Sequence, residues 1–400
     1  MTGRLSRRID PDDRAASPYL EVPVDVPPGT ESIEVRLSYD RAAGVIDLGC
    51  AGATSFRGWS GGARDRFVIT PTAATPGYLP GELEPGRWAV ILGLHRVPAS
   101  GLDVALDVDL PAAGPPAGEP PPPPVPARPP RRDLPADSGL RWLAADFHAH
   151  TLHSDGSLGI AELAARAVTA GLDVLAVTDH NTVSHHRFLP ELSARYGLTL
   201  LPGQEVTTDR GHANAFGDIG WVDFRQPPHQ WVSAVRERGG LLSINHPLAS
   251  DVSWQHPLPE RPPLAEIWHW TWLDRTWSGP LAWWNAWGLG TVPIGGSDFH
   301  SPEQGRSLAR PVTWVACESD HPDAVLAGLR AGRTSVSAGV DAPALLRLDD
   351  DLVTVGGDGT VLTDTEGRRR PVHGDLVRFP AAPGPHRLET PLAEVVAITP

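Results

Sequence analysis

Lysine is absent from the 400 residues, and all 34 basic side chains are arginine. That absence excludes Schiff-base chemistry and the phosphate loop that depends on a lysine. Cysteine is nearly absent as well. Cys50 and Cys317 lie far apart, in different expected domains, so they can build neither a disulfide framework nor a thiolate metal site. No apolar run approaches the ~20 residues of a membrane span. The opening stretch carries an Arg7-Arg8 pair, but acids follow it where a signal peptide needs an apolar core. It reads as a disordered start, and a cytoplasmic setting is expected. Positive charge is also in deficit. The formal net charge of −14 argues against tight binding of long nucleic acid, which requires many phosphate-neutralising cations.

What is present describes a globular chain, with 40% hydrophobic and 20% charged residues. Its length favours two domains. Residues 1–110 hold short strand patterns, such as Ser32–Ser38, Val45–Leu48, Arg66–Thr70, Trp88–Leu94 and Leu102–Leu110, punctuated by Pro-Gly and Gly-Gly pairs. An N-terminal β-sandwich is the expected outcome. Residues 111–139 are so dense in proline that neither helix nor ladder can form, and a semi-rigid linker is expected. Within residues 140–342, apolar runs ending at Phe147, Val177, Leu201, Ile244, Ile267 and Ile294 alternate with helical stretches. One of these carries Ile160, Leu163, Ala164, Ala167 and Val168 on a single stripe. Such alternation predicts an α/β fold with a parallel sheet, doubly wound or closed into a (β/α) barrel. Residues 343–400 return to strands and turns and read as a short C-terminal β extension.

The chemistry-bearing residues fall on the ends of those strands. DFHAH places His148 and His150 at positions i and i+2 of an extended chain, so both imidazoles reach one face. Asp155 follows in the loop. His180 ends the second strand and Glu205 the third; His212 and His246 follow, and GGSDFH sets Asp298 and His300 again at i and i+2. Active sites of βα folds lie on that side of the sheet. Nine nitrogen and oxygen donors suit two to three divalent ions of the Zn, Mn or Fe kind. Clustered cations activate a water and clamp an oxyanion, which permits hydrolysis without a protein nucleophile. Glu205, Asp298 and His300 are the expected catalytic members. His153, His185, His186 and His269 lie near these motifs and stay open. Gly58-Trp59-Ser60-Gly61-Gly62 matches a serine-hydrolase elbow, but no helix pattern follows Ser60 as that turn requires.

Taken together, HAHTLHSDG, VTDHNT, GQE, GHAN, NHP and GSDFH resemble the PHP domain, the polymerase and histidinol phosphatase superfamily, over about residues 143–342. The SDG loop and the β domain joined through a proline-rich linker are similar to its carbaryl-hydrolase-like (CehA/McbA) branch. The resemblance implies a distorted (β/α)7 barrel with a two- or three-metal centre. His148, His150, Glu205 and Asp298 would hold one ion, and Glu205 would bridge to a second held by His212 and His246. Asp155, His180 and His300 would hold the third. The sequence departs from the expected pattern at Glu266-Ile267-Trp268-His269-Trp270, which bears on substrate identity. Trp268 and Trp270 are expected to share a strand face at the pocket mouth, and Arg306 to clamp a substrate anion. The expected activity is hydrolysis of a small phosphoester such as a nucleotide. A carbamate or aryl carboxyl ester is the alternative substrate, and an inactive barrel used for binding is the alternative of another class.

Overall fold

The computed structural model describes residues 2–400 and divides into two compact units. The first runs to Pro121 and also takes in residues 151–159 and 179–187. The second comprises residues 122–150, 160–178 and 188–400.

In the first unit, two four-stranded antiparallel sheets share one core. One has the order Thr2–Ile9, Leu102–Asp109, Ile33–Ser38, Arg66–Ile69; the other Tyr19–Val26, Gly86–Arg96, Val45–Ala51, Phe56–Gly61. Ile33, Val35 and Phe67 of the first sheet and Ile46, Trp88 and Val90 of the second belong to the same apolar cluster. Strict alternation directs this packing. Leu102, Val104, Leu106 and Val108 are buried while Asp103 is exposed. The expectation of a disordered start is corrected here. Residues Thr2–Ile9 form a strand paired with Leu102–Asp109 from Thr2↔Asp109 to Ile9↔Leu102. The cause is non-local: Arg4 and Arg8 face Asp107 and Asp103 of the partner strand, and Ile9 enters the core.

The second unit is built on a 13-stranded mixed sheet with helices. Arg141–Asp146, Val174–Val177 and Thr199–Thr208 run parallel, as do Leu241–Ile244, Leu264–His269 and Val292–Gly296. Between the two sets Gly211–Phe216 runs antiparallel to both neighbours. The strict strand–helix alternation expected from sequence therefore breaks at this point. Only Asp209 and Arg210 separate Thr199–Thr208 from Gly211–Phe216, which is enough for a hairpin and too short for a helical crossover. The helix Ile160–Thr169 buries the predicted stripe. Leu143, Phe147, Val174, Leu201, Phe216 and Ile294 form part of one core beneath the strand ends.

The C-terminal strands are not an appendage. Val395–Thr399 pairs with Thr334–Ser337 and so enters the large sheet, while Ala344–Leu348, Asp351–Val355 and Leu376–Pro380 make a separate three-stranded sheet. The second half of the proline-rich stretch is pinned to its unit through arginine. Arg131 Nε donates to Asp173 at 2.7 Å, Arg128 to the Leu172 and Gly197 carbonyls, and Arg132 to those of Val340, Ala342 and Val355. Among the described residues no helix is long and apolar enough to cross a membrane.

Candidate metal centre

Two i, i+2 pairs lie at the heart of the second unit, and one backbone contact brings them together. Ala149 and Phe299 form a parallel bridge, and the His150 N–H donates to the Phe299 carbonyl at 2.9 Å. Each bridged residue is flanked by two candidate ligands, so His148 and His150 come to lie beside Asp298 and His300. The Asp146 carboxylate sets this register. It accepts the N–H groups of His148 at 3.2 Å, Ser297 at 3.0 Å and Ala309 at 3.0 Å. Both strand ends and the following loop are thus tied to one buried side chain. His246 and Asp298 hold positive φ values of 25° and 48°, a conformation that costs energy and recurs at functional sites.

Glu205 is the hub. Its Oε1 lies 3.2 Å from His148 Nε2, 3.1 Å from His212 Nδ1 and 3.3 Å from His246 Nε2, and accepts from the Asn245 amide at 2.8 Å. Asp298 is the second hub. Its Oδ1 lies 3.0 Å from His150 Nε2 and 3.3 Å from His148 Nε2. His300 Nδ1 lies 2.8 Å from the Asp298 carbonyl, and its ring stacks on His150 at 4.1 Å. In this unit three groups place donor atoms within 4.8 Å of one another: His148, Glu205 and His246; His148, His150 and Asp298; His148, Glu266 and His269.

These donors fit a cation. His148 Nε2 is buried and makes no hydrogen bond, although two carboxylates face it within 3.3 Å. At this atom the two carboxylates converge without the alignment of a hydrogen bond to either. The electrostatics agree. Burial alone would lower the His148 pKa, yet Glu205, Glu266 and Asp298 outweigh it and hold the imidazole well above its usual value. Burial would likewise raise Asp298, and the imidazoles of His148, His150, His269 and His300 hold it well below the carboxylate range. Without a metal, a proton on His148 balances the neighbouring acids.

Two residues of the centre escaped sequence reasoning. Glu266 Oε1 lies 3.1 Å from His148 Nδ1, and its Oε2 accepts the His246 N–H at 2.8 Å. It orients one ligand ring and the backbone of another. The stretch around it looked like a departure from the expected pattern, so its acid drew no notice; its place at a strand end was the available signal. Gly296 makes the approach possible, since a Cβ there would come within 2.3 Å of Glu266 Oε1 and 2.4 Å of His148 Cβ. His269, left open from sequence, is buried with Nε2 3.4 Å from Asp298 Oδ2.

Around Asp298 lie two of the three expected substrate residues. Arg306 donates to the Asp298 carbonyl at 3.0 Å and stands over the Trp270 ring with its guanidinium carbon 3.5 Å from the centroid. Trp270 Nε1 donates to Asp298 Oδ2 at 3.3 Å. Trp268 requires correction. The strand ends at His269 and Trp270 falls in the turn that follows, so the alternation expected to put Trp268 and Trp270 on one face does not extend to Trp270. Trp268 is 3% exposed and packs edge-on against Trp272 in an apolar core. A cavity of about 240 Å³ opens beside His246 and His269, walled by Ile267, Trp272, Trp277 and Trp283.

In the first unit Asp155 and His180 face each other, with His180 Nε2 3.6 Å from Asp155 Oδ1. His153 and His185 serve as internal ties there. His153 Nδ1 lies 2.7 Å from Ser184 Oγ, and His185 Nδ1 lies 3.2 Å from Asp179. Ser60 is buried inside the sandwich, 2.9 Å from the Tyr78 hydroxyl.

No family profile matches the chain. It is similar over short stretches to two 5'-3' exoribonucleases. One from Haemophilus influenzae is 36% identical over 64 residues, 16% of this chain and 23% of that protein. One from Escherichia coli is 42% identical over 65 residues, 16% of this chain and 22% of that protein. The chain thus spans less than a quarter of the exoribonucleases it matches. An uncharacterized protein of Methanocaldococcus jannaschii is 25% identical over 116 residues, 26% of this chain and 68% of its own length. Among solved structures, a two-domain protein of Bacteroides vulgatus described as containing a predicted PHP-like metal-dependent phosphoesterase has a TM-score of 0.44. It is 17% identical, with 68% of this chain and 99% of that one covered. An amidohydrolase of Chromobacterium violaceum, with bound sulfate and no metal, has a TM-score of 0.31 and 15% identity, covering 41% of this chain and 89% of that one.

Proposed function

We propose that this chain is a metal-dependent hydrolase of the PHP type that cleaves a small phosphoester, such as a nucleotide. The observation that carries the reading is the Glu205 hub, where one buried carboxylate oxygen meets three imidazoles within 3.3 Å. His148, His150, Glu205, His212, His246, Asp298 and His300 would hold ions in the second unit, and Asp155 and His180 would be donors within the first. When bound, divalent ions supply a water of lowered pKa and positive charge for a developing oxyanion. Glu205 joins the neighbouring donors into one centre, Asp298 fixes His150, and Glu266 fixes His148. Arg306, steadied by Trp270 and the Asp298 carbonyl, adds donors suited to a phosphoryl group. A carbamate or aryl carboxyl ester is a second reading, favoured by the tryptophan-walled cavity beside His246.

Turnover of nucleoside monophosphates and p-nitrophenyl phosphate against 1-naphthyl carbamates and acetates separates the two. With a phosphoester, Arg306→Ala lowers kcat/KM by about one to two orders of magnitude, the worth of a charged hydrogen bond. With an aryl ester the rates stay near wild type. A metal-loaded enzyme that turns over the naphthyl esters and ignores every phosphoester overturns the phosphoester reading.

A further inference from the structure

Asp155 and His180 sit on two loops, residues 151–159 and 179–187, that belong to the same compact unit as the β-sandwich. Both ligand side chains are partly exposed, at 45% and 19%, while their neighbours are buried in polar contacts. The two loops are first tied to each other. The Asp179 carboxylate accepts from the Thr151 N–H at 2.8 Å, the Thr151 hydroxyl at 2.7 Å and the Ser154 hydroxyl at 2.7 Å. Ser184 Oγ meets His153 Nδ1 at 2.7 Å.

They are then tied to the sandwich at two points. Arg64 donates to the Leu152 carbonyl and, at 3.0 Å, to that of Ser154, so its guanidinium straddles the backbone immediately before Asp155. Gly77 reaches both loops. Its N–H lies 3.1 Å from Ser184 Oγ and 3.3 Å from His153 Nδ1, and its carbonyl accepts the Thr182 hydroxyl at 2.8 Å. Gly77 holds φ +99°, and a Cβ would come within 2.9 Å of the His153 carbonyl and 2.8 Å of that of Trp59. No larger residue fits where the sandwich meets the loops.

We infer that Arg64, Gly77 and Ser184 are positioning residues that hold Asp155 and His180, within their own unit, in place for a divalent ion. Short loops of this kind bury no apolar core of their own, so the entropy of ordering two ligands falls on contacts made elsewhere. The guanidinium of Arg64, fixed on two carbonyls, supplies that order. The inference rests on the proposed metal-dependent function.

The test uses the full-length chain, stripped and reloaded by equilibrium dialysis against zinc or manganese alone, with elemental analysis of metal per chain. Arg64→Ala and Ser184→Ala are expected to lose one ion relative to wild type, or to bind it at least tenfold more weakly. The remaining metal and the thermal unfolding of the stripped protein should stay unchanged. Arg64→Lys, which keeps the cation and one carbonyl contact, should recover part of the lost affinity. Should Arg64→Ala fail to fold, Ser184→Ala decides, since it removes one hydroxyl and leaves the guanidinium in place. Folded variants that keep every ion at wild-type affinity overturn the inference. A wild-type chain that takes up no metal overturns the proposed function itself, and this inference with it.

Discussion

Glu266 holds His148 from behind: its Oε1 lies 3.1 Å from His148 Nδ1, on the side of the ring away from Glu205. A carboxylate behind a ligating histidine fixes the tautomer and raises the basicity of the nitrogen that meets the metal. Glu266→Gln puts an amide N–H2 toward either His148 or the His246 backbone N–H, both of which need an acceptor. Metal affinity should fall by about 10–100-fold while the fold persists. Competition against a chelator of known affinity measures this, and an unchanged dissociation constant would remove Glu266 from the centre.

Metal binding should strengthen as pH rises. In the metal-free chain His148 keeps its proton well above the usual histidine range, so an incoming ion must displace it. Affinity therefore climbs with pH until His148 has titrated, and protons are released on binding. Calorimetry in two buffers of different ionisation enthalpy counts those protons. The stability of the stripped protein moves the other way on that side: the His148 contribution is full below about pH 6.5 and is lost as pH rises through the raised value. Asp298 sets the acid limb, because its depressed pKa contributes above about pH 4 and is lost as pH falls through the lowered value.

Asp146 should prove structural. It accepts three backbone N–H groups from the His148, Ser297 and Ala309 positions and is fully buried. Asn can satisfy only one side of that arrangement, so Asp146→Asn should destabilise the protein by about 1–3 kcal/mol in urea denaturation. It should also loosen the Ala149–Phe299 register. Equal midpoints for variant and wild type would contradict this.

The ring beneath Arg306 should tune activity without carrying it. Removing it in Trp270→Ala takes away a cation–π contact worth about 0.5–2 kcal/mol, so phosphoester kcat/KM should drop by roughly 2–30-fold. Metal content should be unaffected. A loss of metal in this variant would mean that the Trp270 N–H on Asp298 matters more than the stack.

Much of the centre was legible in the chain because its signals are local. Positions i and i+2 at a strand end share a face in any sheet, so the pairs His148/His150 and Asp298/His300 declare themselves without a fold. Alternation likewise exposed the sandwich strands, and a stripe of apolar residues exposed the Ile160–Thr169 helix. What the tertiary structure alone decided involves partners distant in sequence or a break in local period. The Thr2–Ile9 strand exists because Leu102–Asp109, a hundred residues away, offers it a ladder partner and the sandwich core takes in Ile9. The strand ends at His269, so Trp268 packs in the core while Trp270, in the turn beyond, meets Asp298. The loops of Asp155 and His180 lie within the stretch of alternating strands and helices yet take their order from Arg64 and Gly77, because a loop without a core of its own is ordered by whatever packs against it.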